Sequence, residues 1–531
     1  MTNTLSLPVG TAPRRRGARG GDLLPALFAA TLAAALAGVA LALHWQGADW
    51  PAQVFRIETF RRAGFVVWNL QWYDGHHVLG YSVLSPAAGA LVGPGGLAVI
   101  SAALSAYCFT QLVRPVFGAA ATVGAVWFAV ATVTNIAVGR LTFGFGMALG
   151  LAAALALSRR HTILALVLAL ACPLASPVAG VFLALSATAW ALTTRRPHGR
   201  VVGFTMAALA GVPIVVLGLL FPTGGTFRYN PLEFVATVAV CVAVFVAMPR
   251  DARTIRMAAA LYAITALVVF VVPTPLGGNL GRFGMYIGGP LLACALWPTR
   301  RLVLLALAPF ALVWQWNPAI DGIAFAGRDP SSHLAYHEPL VRYLEAHTAA
   351  PARVEIPFTR EHWEAAYVAS EVPLARGWER QLDRETNPLF YDGPLTAHDY
   401  RRWLRSHAIE YVALPDAPLD PSAVAESRIL ARHPWFLVPV WHNEHWRVWR
   451  VVHPQPMVTG GQLVSMRPDS LTVDVADTRP ALLRVHYTTH WTLDGAGCVR
   501  RGPHGWTIVQ VAKPGPVQLR STLLGNRGVC P

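Results

Sequence analysis

Apolar runs long enough to cross a membrane fill the first part of the chain. A helix needs about 20 apolar residues to span the hydrocarbon core of a bilayer. The hydrophobic pattern predicts eleven spans, at 24–44, 88–112, 118–138, 141–158, 162–175, 177–194, 201–221, 233–249, 256–273, 283–297 and 301–317. We therefore expect a polytopic α-helical membrane domain over 23–318, preceded by a basic cytoplasmic tail over 1–22.

Two of the predicted spans, 162–175 and 177–194, are separated only by Ser176. Pro173 and Pro177 flank this position, and proline interrupts helical hydrogen bonding, so one long kinked helix is the alternative. Fifteen arginines fall in the tail and in alternate loops, against six in the remaining loops. Because positive residues collect on the cytoplasmic side, the pattern favours eleven spans. The N-terminus is then cytoplasmic and the C-terminal part extracytoplasmic.

Beyond residue 318 the pattern changes to that of ordinary globular domains, and 22 of the 28 acidic residues lie there. Strand-like and helix-like segments alternate between 353 and 416, which predicts an α/β module over 319–435. An amphipathic helix is expected over 396–406 within it. Short alternating runs follow, such as 471–475 and 506–511, and they predict an antiparallel β-sandwich over 436–531.

Charge and cysteine content narrow the class of protein. The chain is 54% apolar and only 13% charged, which excludes a single soluble domain and a disordered chain. The net charge of +15 resides in the apolar part, so a nucleic-acid partner is not expected, whereas membrane lipid is. Cys498 and Cys530 lie in the predicted external part, where a disulfide is favoured over two unpaired thiols.

The polar residues of the membrane domain collect in its external loops, above all in the long first loop over 45–87. Its candidate acids for proton transfer are Asp49, which closely follows the first span, and Asp74 in reserve. No acid or lysine lies near the centre of a span, which disfavours an ion-coupled transporter. An aromatic belt at the membrane surface with solvated charges is the alternative for this loop.

The first external loop resembles that of the polytopic membrane glycosyltransferases of the GT-C fold class. The resemblance rests on Asp49-Trp50-Pro51, on Trp68 and Trp72, and on Asp74-Gly75; the segment 376–391 resembles actinobacterial-type membrane proteins of this group. It implies a GT-C-like membrane domain, a polyprenyl-phosphate sugar donor and an essential acid at Asp49. Trp50 stands where some members carry a second acid, which argues against a close match to protein mannosyltransferases.

Transfer from a lipid phosphate needs a base for the acceptor hydroxyl and cations for the phosphate. Arg282 and Asn279, in the glycine-rich external turn 273–282, and Arg140, at another helix start, are the candidates for phosphate binding. Contact with lipid headgroups is the alternative for both arginines. The remaining candidates for substrate binding are His76, His77, Trp72, Arg376 and Trp378.

No cofactor is required by these residues. His76 and His77 are adjacent and therefore diverge in most backbones, so a shared metal is not expected, although a divalent metal stays possible. Packing and ion pairs inside the α/β module are the alternative for Arg376 and Trp378.

The sequence thus predicts a multi-pass enzyme of the plasma (inner) membrane. It would move a sugar from a polyprenyl-phosphate-linked donor to a cell-envelope glycan, lipid or protein on the extracytoplasmic side. The alternatives are a transporter or flippase of a lipid-linked substrate and a non-enzymatic scaffold for envelope assembly.

Overall fold

The computed structural model describes residues 23–348 and 351–525. The predicted tail over 1–22 lies outside them. The helices of the first part are α1 Leu23–Ala42, α2 Trp50–Ala63, α3 Leu84–Phe117, α4 Ala121–Val138, α5 Leu141–Ser158, α6 Thr162–Ala175, α7 Pro177–Thr193, α8 Pro197–Leu220, α9 Pro231–Ala247, α10 Arg253–Val271, α11 Gly281–Phe283, α12 Gly289–Leu296, α13 Arg301–Trp316 and α14 Ile320–Ala324.

Every predicted span overlaps one of these helices, which confirms a helical membrane domain. Within the described residues, six helical segments are long and apolar enough to cross a membrane, and α6, α7 and α9 are shorter apolar helices. The number of spans therefore stays a prediction. Large apolar side chains such as Leu91, Ile163 and Leu219 lie exposed on these helices, as expected for a surface that faces lipid.

Between α6 and α7 the chain breaks at Ser176, whose backbone is extended at φ −154° and ψ 112°. The Ser176 hydroxyl accepts a hydrogen bond from the backbone N–H of Ala179 at 3.4 Å and so caps α7. Pro177 occupies the first turn of α7, where its missing N–H costs nothing. The two segments are therefore separate helices rather than one long kinked helix.

The first external loop is largely ordered. It contains the helix α2 and a short antiparallel hairpin of β1, Trp68–Asn69, and β2, His76–His77. This hairpin was not predicted, because each strand has only two residues and no alternating pattern can form over that length.

An α/β module follows the membrane helices, and a mixed sheet forms its centre. Its elements are α15 Leu334–His347, β3 Arg353–Glu355, α16 Glu364–Tyr367, α17 Arg380–Thr386, α18 Ala397–Ser406, β4 Ile409–Pro415, α19 Val424–Leu430, β5 Leu437–His442 and β6 Trp446–Val451. The strand order is β3-β4-β6-β5, with β3 parallel to β4 and the other pairs antiparallel. The predicted helix over 396–406 is confirmed as α18, with Tyr400 and Leu404 on its buried face.

The last part is a β-sandwich of two antiparallel four-stranded sheets, as expected. Its strands are β7 Val458–Thr459, β8 Gly461–Arg467, β9 Ser470–Val475, β10 Ala481–His486, β11 Trp491–Asp494, β12 Gly497–Arg501, β13 Trp506–Val511 and β14 Gly515–Ser521. The sheet orders are β12-β13-β10-β7 and β11-β14-β9-β8. The predicted boundary at 435/436 is wrong: β6 pairs with β4 and β5 pairs with β6, so the α/β module extends to Val451.

The hairpin of the first loop joins the sandwich. Trp68 and Leu70 are buried in the same apolar core as Val473 and Leu519. The backbone N–H of Leu70 donates to the carbonyl of Pro468 at 2.9 Å. A loop that follows α2 is therefore held by strands at the far end of the chain.

Candidate functional site

A groove of about 490 Å³ lies where the loop before α2, the end of α4, α14 and the α/β module meet. We call it the Asp49 groove. Its charged lining residues are Asp49, Asp321, Arg360, Glu361, Arg380 and Asp420. Charged groups from three distant parts of the chain therefore come together at one end of the membrane helices, which we call the Asp49 end.

Asp49 immediately precedes α2, which begins with Trp50 and Pro51. Its backbone N–H donates to the carbonyl of Val138 at 3.2 Å. Its side chain caps no amide of α2 and makes no ion pair with a residue that the structure describes. The half-buried carboxylate is thus available to a ligand in the groove.

Gly139 brings the α4–α5 turn against the start of α2. It has φ +89°, and a Cβ atom there would lie 2.2 Å from the backbone nitrogen of Trp50. Only glycine combines this left-handed backbone with so close an approach. Because Arg140 is the next residue, this contact places its backbone beside that of Asp49.

Arg140 and Arg282 are two cations with no ion pair among the described residues. The Nε atom of each is buried and has no hydrogen-bond partner there. The two guanidinium groups lie within electrostatic range of each other, and the charges of Asp49 and Glu233 act on both. Like charges held together with unused donors form a site suited to an anion, since guanidinium groups grip phosphate oxygens.

The turn before Arg282 packs closely on α9 and its preceding loop. Gly277 has φ +40° and lies against the carbonyl of Phe227, and a Cβ on Gly278 would lie 3.1 Å from the Oε2 atom of Glu233. Asn279 is half-buried in this turn, and its side chain makes no hydrogen bond to a described residue. An acid of α9, Glu233, therefore lies beside the predicted phosphate-binding turn.

The α/β module forms the upper wall of the Asp49 groove. Trp378 stacks on His362 with ring centroids 3.2 Å apart, and Arg380 pairs with Asp420 at 2.6 Å. Burial opposes a charge on His362, but contacts with Asp420 and Glu364 raise its pKa above the ordinary value. His362 and the Arg380 guanidinium, 4.8 Å from the ring centroid, cover Trp378, so the wall offers a ligand the charged groups of Arg380 and Asp420 rather than an open aromatic face.

Glu361 lies between the groove and a smaller cavity lined by His44 and Trp363. Burial, reinforced by the charges of Asp329 and Asp321 and opposed by those of His362 and Arg360, raises its pKa to about 7. Glu361 therefore changes charge near neutral pH, unlike an ordinary glutamate.

Asp74, the reserve candidate for the base, lies away from the groove and is 1% exposed. Its carboxylate pairs with the Nε atom of Arg353 at 2.7 Å and also contacts His407. Despite burial, the charges of Arg353 and His407 lower the pKa of Asp74. These contacts join the first loop to the α/β module, and we assign Asp74 no catalytic role.

Trp72, His76 and His77 are packing residues rather than groove residues. Trp72 stacks on Phe55 at 3.9 Å and on His76 at 5.5 Å, whereas His77 contacts His490 of the sandwich at 5.4 Å. Burial lowers the pKa of His76 to about 3 and that of His77 to about 4. The adjacent histidines diverge, as expected, and neither reaches the Asp49 groove.

Arg376 is buried beneath the groove wall instead of facing a ligand. It pairs with Asp383 at 2.7 Å, with Glu355 at 3.5 Å and with Glu426 at 3.6 Å. Its guanidinium group also lies 3.9 Å from the ring centroid of Phe390. Its guanidinium group therefore serves the core of the α/β module, as in the alternative given for it, while Trp378 does line the groove.

Sequence reasoning missed several groove residues. Glu361, Asp321, Arg360 and Asp420 were not singled out, because charged residues are common in the external part and nothing local marks these four. Glu233 lies outside the lining of this groove, and its proximity to Arg282 follows only from the fold. No group of three or more His, Cys, Asp or Glu within 23–348 and 351–525 is arranged to hold a metal ion.

Cys498 is buried in β12, and Cys530 lies outside the described residues. The predicted disulfide between them therefore stays a prediction. The buried thiols of Cys108, Cys172, Cys241 and Cys294 are free and occupy helices of the membrane domain.

No protein-family model and no curated protein matches the chain. Among solved structures, the arabinofuranosyltransferase AftD from Mycobacteria is similar over 92% of this chain and 57% of its own, with 14% identity and a TM-score of 0.45. The chain thus spans less than two thirds of that structure's length. A likeness of this level carries no information about activity.

Proposed function

We propose that the protein is a membrane glycosyltransferase of the GT-C class. It would move a sugar from a polyprenyl-phosphate-linked donor to a hydroxyl group of a cell-envelope glycan, lipid or protein. The Asp49 end then faces the extracytoplasmic side of the plasma (inner) membrane, and the chain enters from a cytoplasmic N-terminus. The resemblance of the first loop to this class and the chemistry of the Asp49 groove support the proposal.

One observation supports this proposal most directly. Asp49 lines a groove of about 490 Å³, and Arg140 and Arg282 lie within electrostatic range of its carboxylate without an ion pair among the described residues. A carboxylate beside two guanidinium groups is the minimal set for glycosyl transfer from a lipid phosphate, because the phosphate is already a good leaving group.

In the proposed reaction the acceptor hydroxyl attacks the anomeric carbon of the donor sugar and gives its proton to an Oδ atom of Asp49. The bond between that carbon and the phosphate oxygen breaks, and the phosphate keeps the bonding electrons. Arg140 and Arg282 hold the phosphate and stabilise its additional negative charge. The acceptor would approach beside Trp378 and Arg380, on the other side of Asp49.

The test compares Asp49→Asn with Glu58→Gln in the purified full-length protein, with a polyprenyl-phosphate sugar and an envelope extract as acceptor. Glu58 is a matched control, since it lies on α2 but pairs only with the exposed residues Arg61 and Arg62. Loss of a general base costs about 10²–10⁴-fold in rate, so Asp49→Asn should lose transfer and Glu58→Gln should keep it.

Undiminished transfer by a folded Asp49→Asn variant would overturn the assignment of the base. Translocation of the lipid-linked sugar across vesicles without any transfer would instead identify a flippase. If substitutions at Asp49 and both arginines leave envelope assembly intact while changes on the external surface abolish it, the protein acts as a scaffold.

A further inference from the structure

A second groove opens at the opposite end of the membrane helices from Asp49. It has a volume of about 710 Å³ and lies between the ends of α3, α9 and α12 and the start of α13. Three cationic side chains line it, Arg250, Arg256 and Arg300, and we call it the arginine groove. None of the described residues that line it carries a carboxylate.

Arg256 is fixed in the groove by its surroundings. Its guanidinium carbon lies 4.1 Å from the ring centroid of Phe245, and its Nη1 atom donates to the carbonyl of Met248 at 3.3 Å. Arg250 and Arg300 are exposed, and none of the three arginines pairs with an acid among the described residues. The groove therefore brings together three positive charges without an ion pair among the described residues; Asp251, next to Arg250 in the chain, does not line it.

Part of the arginine groove's wall is apolar, and this part continues into the surface that faces lipid. Val116 is 52% exposed and Val246 is 66% exposed, and both line the groove. A ligand that fits this arrangement has an anionic head for the arginines and apolar chains for the outer wall. A free inorganic anion would use only the first of these features.

We propose that the arginine groove binds the phosphate headgroup of an anionic phospholipid, with its acyl chains along Val116 and Val246. The guanidinium groups would hold the phosphate oxygens by charge-assisted hydrogen bonds. Arginine near an anionic membrane surface contributes about 1 kcal/mol each, or about fivefold in affinity. The site is separate from the Asp49 groove and does not depend on glycosyl transfer.

The experiment measures lipid retained by the full-length protein in detergent by native mass spectrometry, with phosphatidylglycerol, phosphatidylcholine or inorganic phosphate added. The test variant carries Arg250→Gln, Arg256→Gln and Arg300→Gln. The matched control carries Arg160→Gln, Arg195→Gln and Arg196→Gln, which remove the same charge from exposed positions at the same end of the helices.

Phosphatidylglycerol should bind the unmodified protein and the control equally, and the test variant at least tenfold more weakly. Arg300→Gln alone should weaken binding by about fivefold; its side chain is exposed, so folding is not at risk. Equal losses in test and control variants would show a general charge effect and overturn the proposal. So would equal binding of phosphatidylcholine, or displacement of the lipid by inorganic phosphate at equal concentration.

Discussion

The backbone amide of Asp49 donates a hydrogen bond to the carbonyl of Val138 at 3.2 Å. The first external loop is thereby attached to the end of α4, one residue before the glycine that precedes Arg140. The position of the proposed base relative to the first phosphate-binding arginine is thus set by the backbone and not by a contact between the two side chains.

Gly139→Ala should disturb the attachment of the first loop to α4 more than the loss of glycine's backbone freedom would by itself. The added Cβ would lie 2.2 Å from the nitrogen of Trp50, whereas Gly118, also with positive φ, has nothing within 4 Å. Gly118→Ala therefore introduces backbone strain without a clash, since Gly118 has φ +58° and ψ −132°. Gly139→Ala adds a clash of about 1–3 kcal/mol to the strain of its left-handed backbone. Thermal unfolding in detergent measures both losses of stability, and transfer should fall only in Gly139→Ala. Unchanged transfer by a folded Gly139→Ala variant would contradict the contact.

Arg282→Gln should weaken donor binding. A hydrogen bond to a charged group contributes about 1.5–3 kcal/mol, so the KM for the donor should rise by about ten- to a hundredfold. Arg228→Gln is the matched control, because Arg228 is an exposed arginine at the same end of the helices. An equal rise in both variants would indicate attraction to the membrane surface instead of a specific phosphate contact.

Asp74→Asn should destabilise the protein. It leaves Arg353 buried with an uncompensated charge, and breaking one side of a buried pair costs about 3–5 kcal/mol. The exposed pair of Asp477 and Arg479 offers the control, since Asp477→Asn should leave the unfolding temperature unchanged. Transfer by the folded fraction of Asp74→Asn should be retained. Loss of transfer without loss of stability would instead indicate a catalytic role for Asp74.

Glu361→Gln should change how stability depends on pH. Burial raises the pKa of Glu361 from 4.5 to about 7, so the folded state favours the protonated form. Its contribution to stability is complete below pH 4.5 and is lost as the pH rises through about 7. The variant, which stays neutral, should therefore match the unmodified protein near pH 5 and exceed it at pH 8 by up to about 3 kcal/mol. Thermal unfolding at both pH values measures this, and a parallel shift at both would contradict it.

The membrane helices could be predicted because an apolar run longer than a bilayer is a local signal. The sequence left the break at Ser176 ambiguous, since prolines on both sides fit a kink and a new helix equally. In the structure the Ser176 hydroxyl caps α7, which shows that a new helix begins there. The boundary of the α/β module was misplaced because β5 and β6 alternate like sandwich strands. Which sheet they join depends on pairing with β4, about 30 residues earlier, and not on their own pattern.

The residues of the candidate site could also be predicted only in part from the sequence. Arg140 and Arg282 stand out because only six arginines fall on their side of the predicted membrane, and Asp49 stands out because it closely follows the first span. Arg376 stood out equally, being surrounded by aromatic and acidic residues. Two of those neighbours, Asp383 and Phe390, are its buried partners, and Glu355 and Glu426 join them from elsewhere in the chain. Composition cannot distinguish a charge that is buried and paired from one that lines a groove, and only the fold separates the two.

The contacts of the first-loop hairpin determine when during translation it can complete its packing. The amide of Trp68 donates a hydrogen bond to the hydroxyl of Ser521, 453 positions later, so Trp68 is translated long before its partner. The tryptophan of the hairpin stays unshielded until β14 has been translated. A protein cut short before β14 would expose this ring to solvent, so quality-control proteases could recognise incomplete chains by it.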